Sequence, residues 1–207
     1  MRNPWLDIPL TDYEGHMGAP GVAQAPMLCD QLEAAVQQHA QRSVAVIGCA
    51  GGNGFEKLRG ATVNRVVGID INPAYVEAAR RRFAAHIPEL ELYVADIQKT
   101  LQQIAPVELV FAALILEYVE LAPAMKTFRT LCETGGNLVI ILQAPSPDLT
   151  EISPSSFKNI QLLAPIIRIR DVADVQAGAI AAGFSPYSCN TLTLLSGKSF
   201  VVLSFRG

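Results

Sequence analysis

Ser43-Val44-Ala45-Val46-Ile47 runs straight into Gly48-Cys49-Ala50-Gly51-Gly52-Asn53-Gly54, and this stretch decides how the rest of the chain is read. Four consecutive apolar residues, three of them β-branched, fit a short strand covered on both faces. The glycines that follow let the backbone turn sharply and approach a ligand closely. Strand, glycine loop and helix in that order open a parallel α/β sheet. A helix is therefore expected over Asn53 to Leu58.

Downstream the rhythm repeats. Arg65 to Ile69 reads as a second strand, ended by Asp70. Asn72 suits a helix cap and Pro73 the first turn of a helix reaching Ala85. Its apolar face is Tyr75, Val76, Ala79 and Phe83, and Arg80, Arg81 and Arg82 load its last turns as a solvated helix end. Glu91 to Ala95 is a third strand, ended by Asp96, and Val107 to Ala113 a fourth. A helix follows over Pro123 to Cys132, then a fifth strand, Asn137 to Leu142, after the turn Gly135-Gly136. Near the C-terminus a helix over Asp171 to Ala182 stops at Gly183. Thr191 to Leu195 and Ser199 to Phe205 are joined by only Ser196-Gly197-Lys198. A link that short permits only an antiparallel hairpin. The expected fold is α/β: a mostly parallel seven-stranded sheet with helices on both faces and a C-terminal antiparallel hairpin.

Two segments stand outside this rhythm. Residues 1–40 form an N-terminal cap segment, turn-rich from Asp7 to Pro26, then helical from Pro26 to His39 with Leu28, Leu32, Ala35 and Val36 on one face. Residues 41–207 form the main domain. Within it, residues 144–170 hold Pro145, Pro147, Pro154 and Pro165 and read as an insertion over the strand ends.

Composition narrows the function. The chain has 207 residues, 50% hydrophobic and 17% charged, with a net charge of −3. That is material for one folded domain, not for disorder. The acidic balance disfavours nucleic acid as a partner. Cys29, Cys49, Cys132 and Cys189 have no CxxC spacing, so no zinc or other metal site is expected. The N-terminus lacks the apolar run of a signal peptide, and Leu109 to Leu116 is too short to span a bilayer as a helix. A cytoplasmic protein with no membrane partner is expected.

The glycine loop belongs to none of the phosphate-binding patterns. Counted from Gly48, the dinucleotide fingerprint GxGxxG meets Ala50 and Asn53 where it needs glycine. The P-loop fails because no Gly-Lys-Ser/Thr follows. The ordered set VAVIGCAGGNG (44–54), VVGIDINPAYVEAARRRF (66–83), YVADIQ (93–98) and ELVFAALILEYV (108–119) resembles the consecutive motifs of class I S-adenosylmethionine (SAM)-dependent methyltransferases. The resemblance runs from about Ser43 to the end, since the C-terminal hairpin also marks that Rossmann-like fold.

The resemblance implies SAM as cofactor and S-adenosylhomocysteine as product. It places Gly48, Cys49, Ala50, Gly51 and Gly52 at the cofactor loop and makes Asp70 the acid that holds the ribose. It packs Ile71 on the adenine, sets Asp96 at the adenine amino group with Ile97 beside it, and runs Ala112 to Leu114 past the methionine portion. Two positions depart from the pattern: Val46 stands where many members carry an acid, and Ala50 where the second glycine is usual. Tyr13, Glu14 or His16 is expected to supply polar contacts at the methionine end. Tyr13 is counted with the cofactor residues. The catalytic candidates are His16, whose ordinary pKa suits a general base, and Glu117, which follows strand four where the family's acceptor pocket begins.

The acceptor is expected to be a small molecule, by elimination. Leu114-Ile115-Leu116-Glu117-Tyr118 lacks the proline tetrad of amino-methylating DNA enzymes. The surroundings of Glu117 and Glu120 do not match the arginine-methylating class. Gln143-Ala144-Pro145 lacks the acid and amide of metal-dependent catechol enzymes. Pocket walls are expected from the N-terminal segment and from Ser146 to Arg170, with Phe157, Leu162, Leu163, Ile166 and Ile167 apolar and Arg168 and Arg170 meeting an acidic group or solvent. Three alternatives stay open: a non-catalytic SAM-binding module, an NAD-linked reductase, and an enzyme of this fold that uses SAM or a relative for other chemistry, such as aminopropyl transfer. Monomer and homodimer are equally open.

Overall fold

The computed structural model describes residues 3–59, 62–101, 104–146 and 148–207. Its frame is a seven-stranded sheet: β1 (Ser43–Ile47), β2 (Arg65–Asp70), β3 (Glu89–Val94), β4 (Val107–Ala113), β5 (Cys132–Gln143), β6 (Ser185–Thr193) and β7 (Ser199–Arg206). They lie in the order β3-β2-β1-β4-β5-β7-β6. The first five are parallel, and β7 runs antiparallel to both β5 and β6. The hairpin forms as expected, though its strands leave five residues, 194–198, between Thr193 and Ser199.

Alternation along the strands divides the core into two layers. Val44 and Val46 face α2 (Gln24–His39) and α3 (Pro73–Phe83), with Leu32, Val36, Phe55 and Phe83. Ala45 and Ile47 face α4 (Leu121–Leu131) and α5 (Val172–Ala181), with Met125, Phe128 and Val175. Both faces are covered, which is why β1, β2 and β4 carry apolar runs at 44–47, 66–69 and 109–113. β3, at the edge, is only partly buried.

Several expectations need correction. The turn-rich segment contains α1 (Leu10–Gly18), a helix that begins after Pro9 and buries His16 and Met17. Its glycines at 15 and 18 hide the helical period from the sequence. The helix expected from Asn53 shrinks to one 3₁₀ turn, Phe55–Leu58, because Gly52 and Gly54 before it have positive φ. β5 starts five residues early, at Cys132. Its pairing with β4 jumps from Val107↔Cys132 to Leu109↔Asn137, so Gly135-Gly136 sits in a bulge and not in a separate turn. β6 likewise starts at Ser185. Elsewhere the differences are a few residues at element ends, and Asn72 and Asp171 cap α3 and α5 with their side chains. No described helix is long and apolar enough to cross a membrane.

Candidate active site

Strand order reverses between β1 and β4, and in open α/β sheets the ligand crevice forms there, beyond the carboxyl ends. A cleft with an empty volume of about 1160 Å³, counted out to open solvent, occupies this place. Its floor is the ends of four strands: Ile47 and Gly48 after β1, Asp70 and Ile71 at β2, Asp96 and Ile97 after β3, and Ala113 and Leu114 at β4.

The glycine loop is tied to β2. The N–H groups of Gly48 and Cys49 donate to Ile69 O at 2.8 and 3.2 Å. Asp70 is buried and accepts from Ala50 N at 2.9 Å and from Asn72 N at 2.8 Å. Burial raises its pKa, and the backbone donors oppose that rise. The Ile71 N–H also favours the charged form, so three backbone groups hold this carboxylate at the loop. Asp96 accepts from Gln98 N at 3.0 Å, and Gln98 in turn holds Glu120 N at 2.9 Å. Ala50 and Leu114 both adopt left-handed backbone, φ +46° and +53°, at the cleft wall. Such strain costs an L-residue of order 1 kcal/mol or more and gathers at ligand sites.

The N-terminal segment closes one side. Trp5 stands edge-on to Tyr13 and to Tyr118, with centroids 5.8 and 5.1 Å apart. Asn72 Nδ2 donates to Trp5 O at 2.9 Å and Tyr75 OH to Ile8 O at 2.9 Å, which pins this segment over α3. Glu14 turns away from the cleft and forms an ion pair with Arg82, whose guanidinium also donates to Gly51 O at 3.1 Å. Arg82 is therefore a tie between α1 and the glycine loop, not a solvated helix end.

The insertion packs against this segment. Phe157 lies on α1 so closely that a Cβ on Gly15 would meet its ring at 2.2 Å. His16 Nδ1 is 2.9 Å from Ser155 Oγ, and Asn159 Nδ2 donates to Asp12 Oδ2 at 2.7 Å. Lys198, on the hairpin turn, is buried and donates to Glu151 O at 2.6 Å; burial pulls its pKa down to about 8. Burial, with the Lys198 charge nearby, lowers the pKa of His16 and favours a neutral imidazole.

Glu117 sits in a 3₁₀ turn, Leu116–Tyr118, at the cleft wall and is 1% exposed. Its Oε1 accepts from Gln143 N at 2.8 Å, whereas Oε2 has no hydrogen-bond partner among the described residues. Burial pushes its pKa up to about 7. Arg170 Nε donates to Leu116 O at 2.8 Å and its guanidinium also reaches Val119 O, so this arginine holds the turn. Arg168 pairs with Glu120.

Of the residues singled out from sequence, Tyr13, His16, Gly48, Ala50, Asp70, Ile71, Asp96, Ile97, Leu114 and Glu117 line the cleft. Four do not. Cys49 is buried beneath the loop and burial raises its thiol pKa, which leaves it a packing residue. Gly51 lies under Arg82 and Glu14, and Gly52 against Phe83. Ala112 points into the core layer of α4, because alternation turns its neighbour Ala113 toward the cleft. In the insertion, Leu163 and Ile167 line the cleft as expected, whereas Leu162 is exposed and Phe157 covers α1. Tyr118, which follows strand four with Glu117, lines the cleft too, whereas sequence reasoning missed Trp5, Gln98 and Gln143, which distant parts of the chain bring together. Among the described residues no lining one is Lys or Arg; the acidic ones are Asp70, Asp96, Glu117 and Glu151.

Residues 44–136 match the family described as "Methyltransferase domain". No curated protein matches the chain significantly. Among solved structures, the N-methyltransferase NodS from Bradyrhizobium japonicum, in complex with S-adenosylhomocysteine, superposes with a TM-score of 0.68. It is 17% identical, over 91% of this chain and 88% of that one. Magnesium protoporphyrin IX methyltransferase from Synechocystis, with bound SAM, gives 0.64 at 15% identity over 87% and 79%. The [4+2]-cyclase SpnF gives 0.65 at 11% identity over 86% and 80%. At such identities the likeness is one of fold.

Proposed function

We propose that this chain, a class I methyltransferase by its fold and by the domain at residues 44–136, transfers a methyl group from SAM to a small-molecule acceptor. The observation that carries the reading is a cleft at the strand-order switch point lined by four carboxyl side chains and aromatic rings, with no lysine or arginine among its described residues. A phosphate-bearing cofactor such as NAD asks for donors and positive charge. A cofactor with a sulfonium and an ammonium group, and no phosphate, suits acids and rings.

The residues present fit that cofactor. Asp70, at the cleft floor, is placed to accept from the ribose hydroxyls, in a site where backbone N–H groups already fix its orientation. Ile71 and Ile97 flank the adenine, and Asp96 meets its amino group. Gly48, Ala50 and Leu114 border the methionine portion, and Tyr13 covers it. When bound, SAM supplies an electrophilic methyl group already activated by its sulfonium. The chain's own task is then alignment and exclusion of water. Trp5, Tyr13 and Tyr118 pack with Ile160 and Leu163 in one apolar cluster that borders the cleft, and Ile167 lines it as well. The neutral His16 serves to seat the insertion through Ser155 more than to accept a proton, since its Nδ1 is already engaged.

Calorimetric titration with SAM, S-adenosylhomocysteine and NAD tests this. The expected result is affinity in the micromolar range, about −8 kcal/mol, for both sulfur compounds and none for NAD. NAD binding, or failure of both sulfur compounds in folded protein, refutes the reading.

A further inference from the structure

The cleft has a second half, at the ends of β4 and β5, on the other side of β1 from Asp70. Its polar wall is Glu117, Gln143 and Glu151, and its apolar wall Ile160, Leu163 and Ile167. The Oε2 atom of Glu117 is buried without a partner, while Oε1 is fixed by the Gln143 N–H. Leaving a charged acceptor unpaired in a buried wall costs more than leaving a neutral one. A ligand that brings a donor removes that cost. The ligand's charge also matters. A carboxylate, phosphate or thiolate would meet Glu117 and Glu151 with no lysine or arginine among the described lining residues to receive it, and Lys198 is already engaged at Glu151 O. An amine brings N–H donors and, when protonated, a positive charge that strengthens the bond to a carboxylate.

We infer that the methyl acceptor is a primary or secondary amine on an apolar skeleton, held by N–H donation to Oε2 of Glu117. This rests on the SAM reading above. The bound ammonium passes one proton to the Glu117 carboxylate and becomes a neutral amine. The nitrogen lone pair then forms the new N–C bond while the C–S bond breaks, its electron pair staying on sulfur. The product leaves as the methylated ammonium, and Glu117 returns its proton to water. A buried carboxyl that titrates near neutrality suits that proton transfer. The charged and titratable groups that face Glu117 are Arg170 and Tyr118; Arg170 keeps its own hydrogen bonds to Leu116 O and Val119 O.

The test uses the full chain with SAM and five probes on one skeleton: benzylamine, N-methylbenzylamine, benzyl alcohol, benzyl mercaptan and benzoate. Release of S-adenosylhomocysteine is measured, and SAM binding is followed in parallel by calorimetry. The two amines are expected to react at least about tenfold faster than the other three. Glu117→Gln keeps the acceptor for Gln143 N–H. It should lower amine turnover by about 100-fold while leaving SAM affinity within about twofold. In the wild type kcat should rise with pH through about 7, and the variant should lose that limb, which a merely structural role would not produce. With SAM bound, faster reaction of the alcohol, thiol or benzoate, inert amines, or full turnover by the variant overturns the amine assignment alone. Absent SAM binding in folded protein overturns the SAM reading and the amine assignment with it.

Discussion

The two halves of the cleft are built in different ways. The half proposed for the cofactor comes from consecutive strand ends, β1, β2 and β3, and from a loop tied mainly to β2 and braced by Arg82. The acceptor half is assembled from residues 3–28, 117–119, 143 and 151–167, tied by single side-chain contacts such as His16–Ser155 and Lys198–Glu151. The first half is a consequence of the sheet. The second is a docking of segments, so it can vary in sequence without disturbing the core.

The largest effect should come from the cofactor half. Asp70→Ala leaves the N–H groups of Ala50 and Asn72 buried and unpaired, at about 1–3 kcal/mol each. Urea unfolding should show a loss of roughly 2–6 kcal/mol, and calorimetry at least about 100-fold weaker SAM binding. Asp70→Asn keeps one acceptor oxygen and should recover part of both. A destabilised variant with unchanged SAM affinity would mean that Asp70 only shapes the loop, and the contrast between the halves would lose its chemical content.

The next effect belongs to the acceptor half and depends on pH. Glu117 titrates near 7 when folded, against an ordinary value of 4.5. The folded state therefore holds this proton more tightly than the unfolded chain does. The stability it contributes is present below about pH 4.5 and is lost as pH rises through about 7. Between pH 4 and 8 the wild type should lose up to about 3 kcal/mol that Glu117→Gln does not lose. Parallel melts of the two proteins across this range measure the difference. Parallel curves would mean the carboxyl is solvated, and the acceptor half would be more open than its burial states.

The same division sets what the sequence could reveal. β1, β2 and β4 were legible because residues buried on both faces leave continuous apolar runs. Asp70 was legible because it ends such a run, and Asp96 because it follows the third strand of the same rhythm. Asn72 was legible as a cap because Pro73 follows it. α1 was not, since Pro9, Gly15 and Gly18 look like turn signals, and Gly15 owes its place to the Phe157 ring 142 positions away. Nor was the Trp5–Tyr13–Tyr118 cluster, whose members share no local pattern. Glu117 was picked for its place after β4, but its burial depends on Gln143 and Arg170, and no short-range rule connects those residues.

The smallest effect isolates the docking itself. Ser155 Oγ lies 2.9 Å from His16 Nδ1 and accepts from Phe157 N at 3.2 Å. Ser155→Ala removes both bonds and touches neither the sheet nor the glycine loop. The loss of global stability should be small, about 0.5–1.5 kcal/mol, because unfolding of the core does not wait on this contact. Its local consequence should be larger. Residues 148–157 are held to α1 and the hairpin by few contacts, so their backbone amides should exchange with solvent about tenfold faster, as 1.4 kcal/mol of local opening requires. SAM affinity should stay within about twofold, whereas KM for the acceptor should rise severalfold, since the insertion supplies only the acceptor wall. A matching loss of SAM affinity would show that the two halves close as one unit, and that the hydrogen bond between α1 and the insertion is part of the cofactor site.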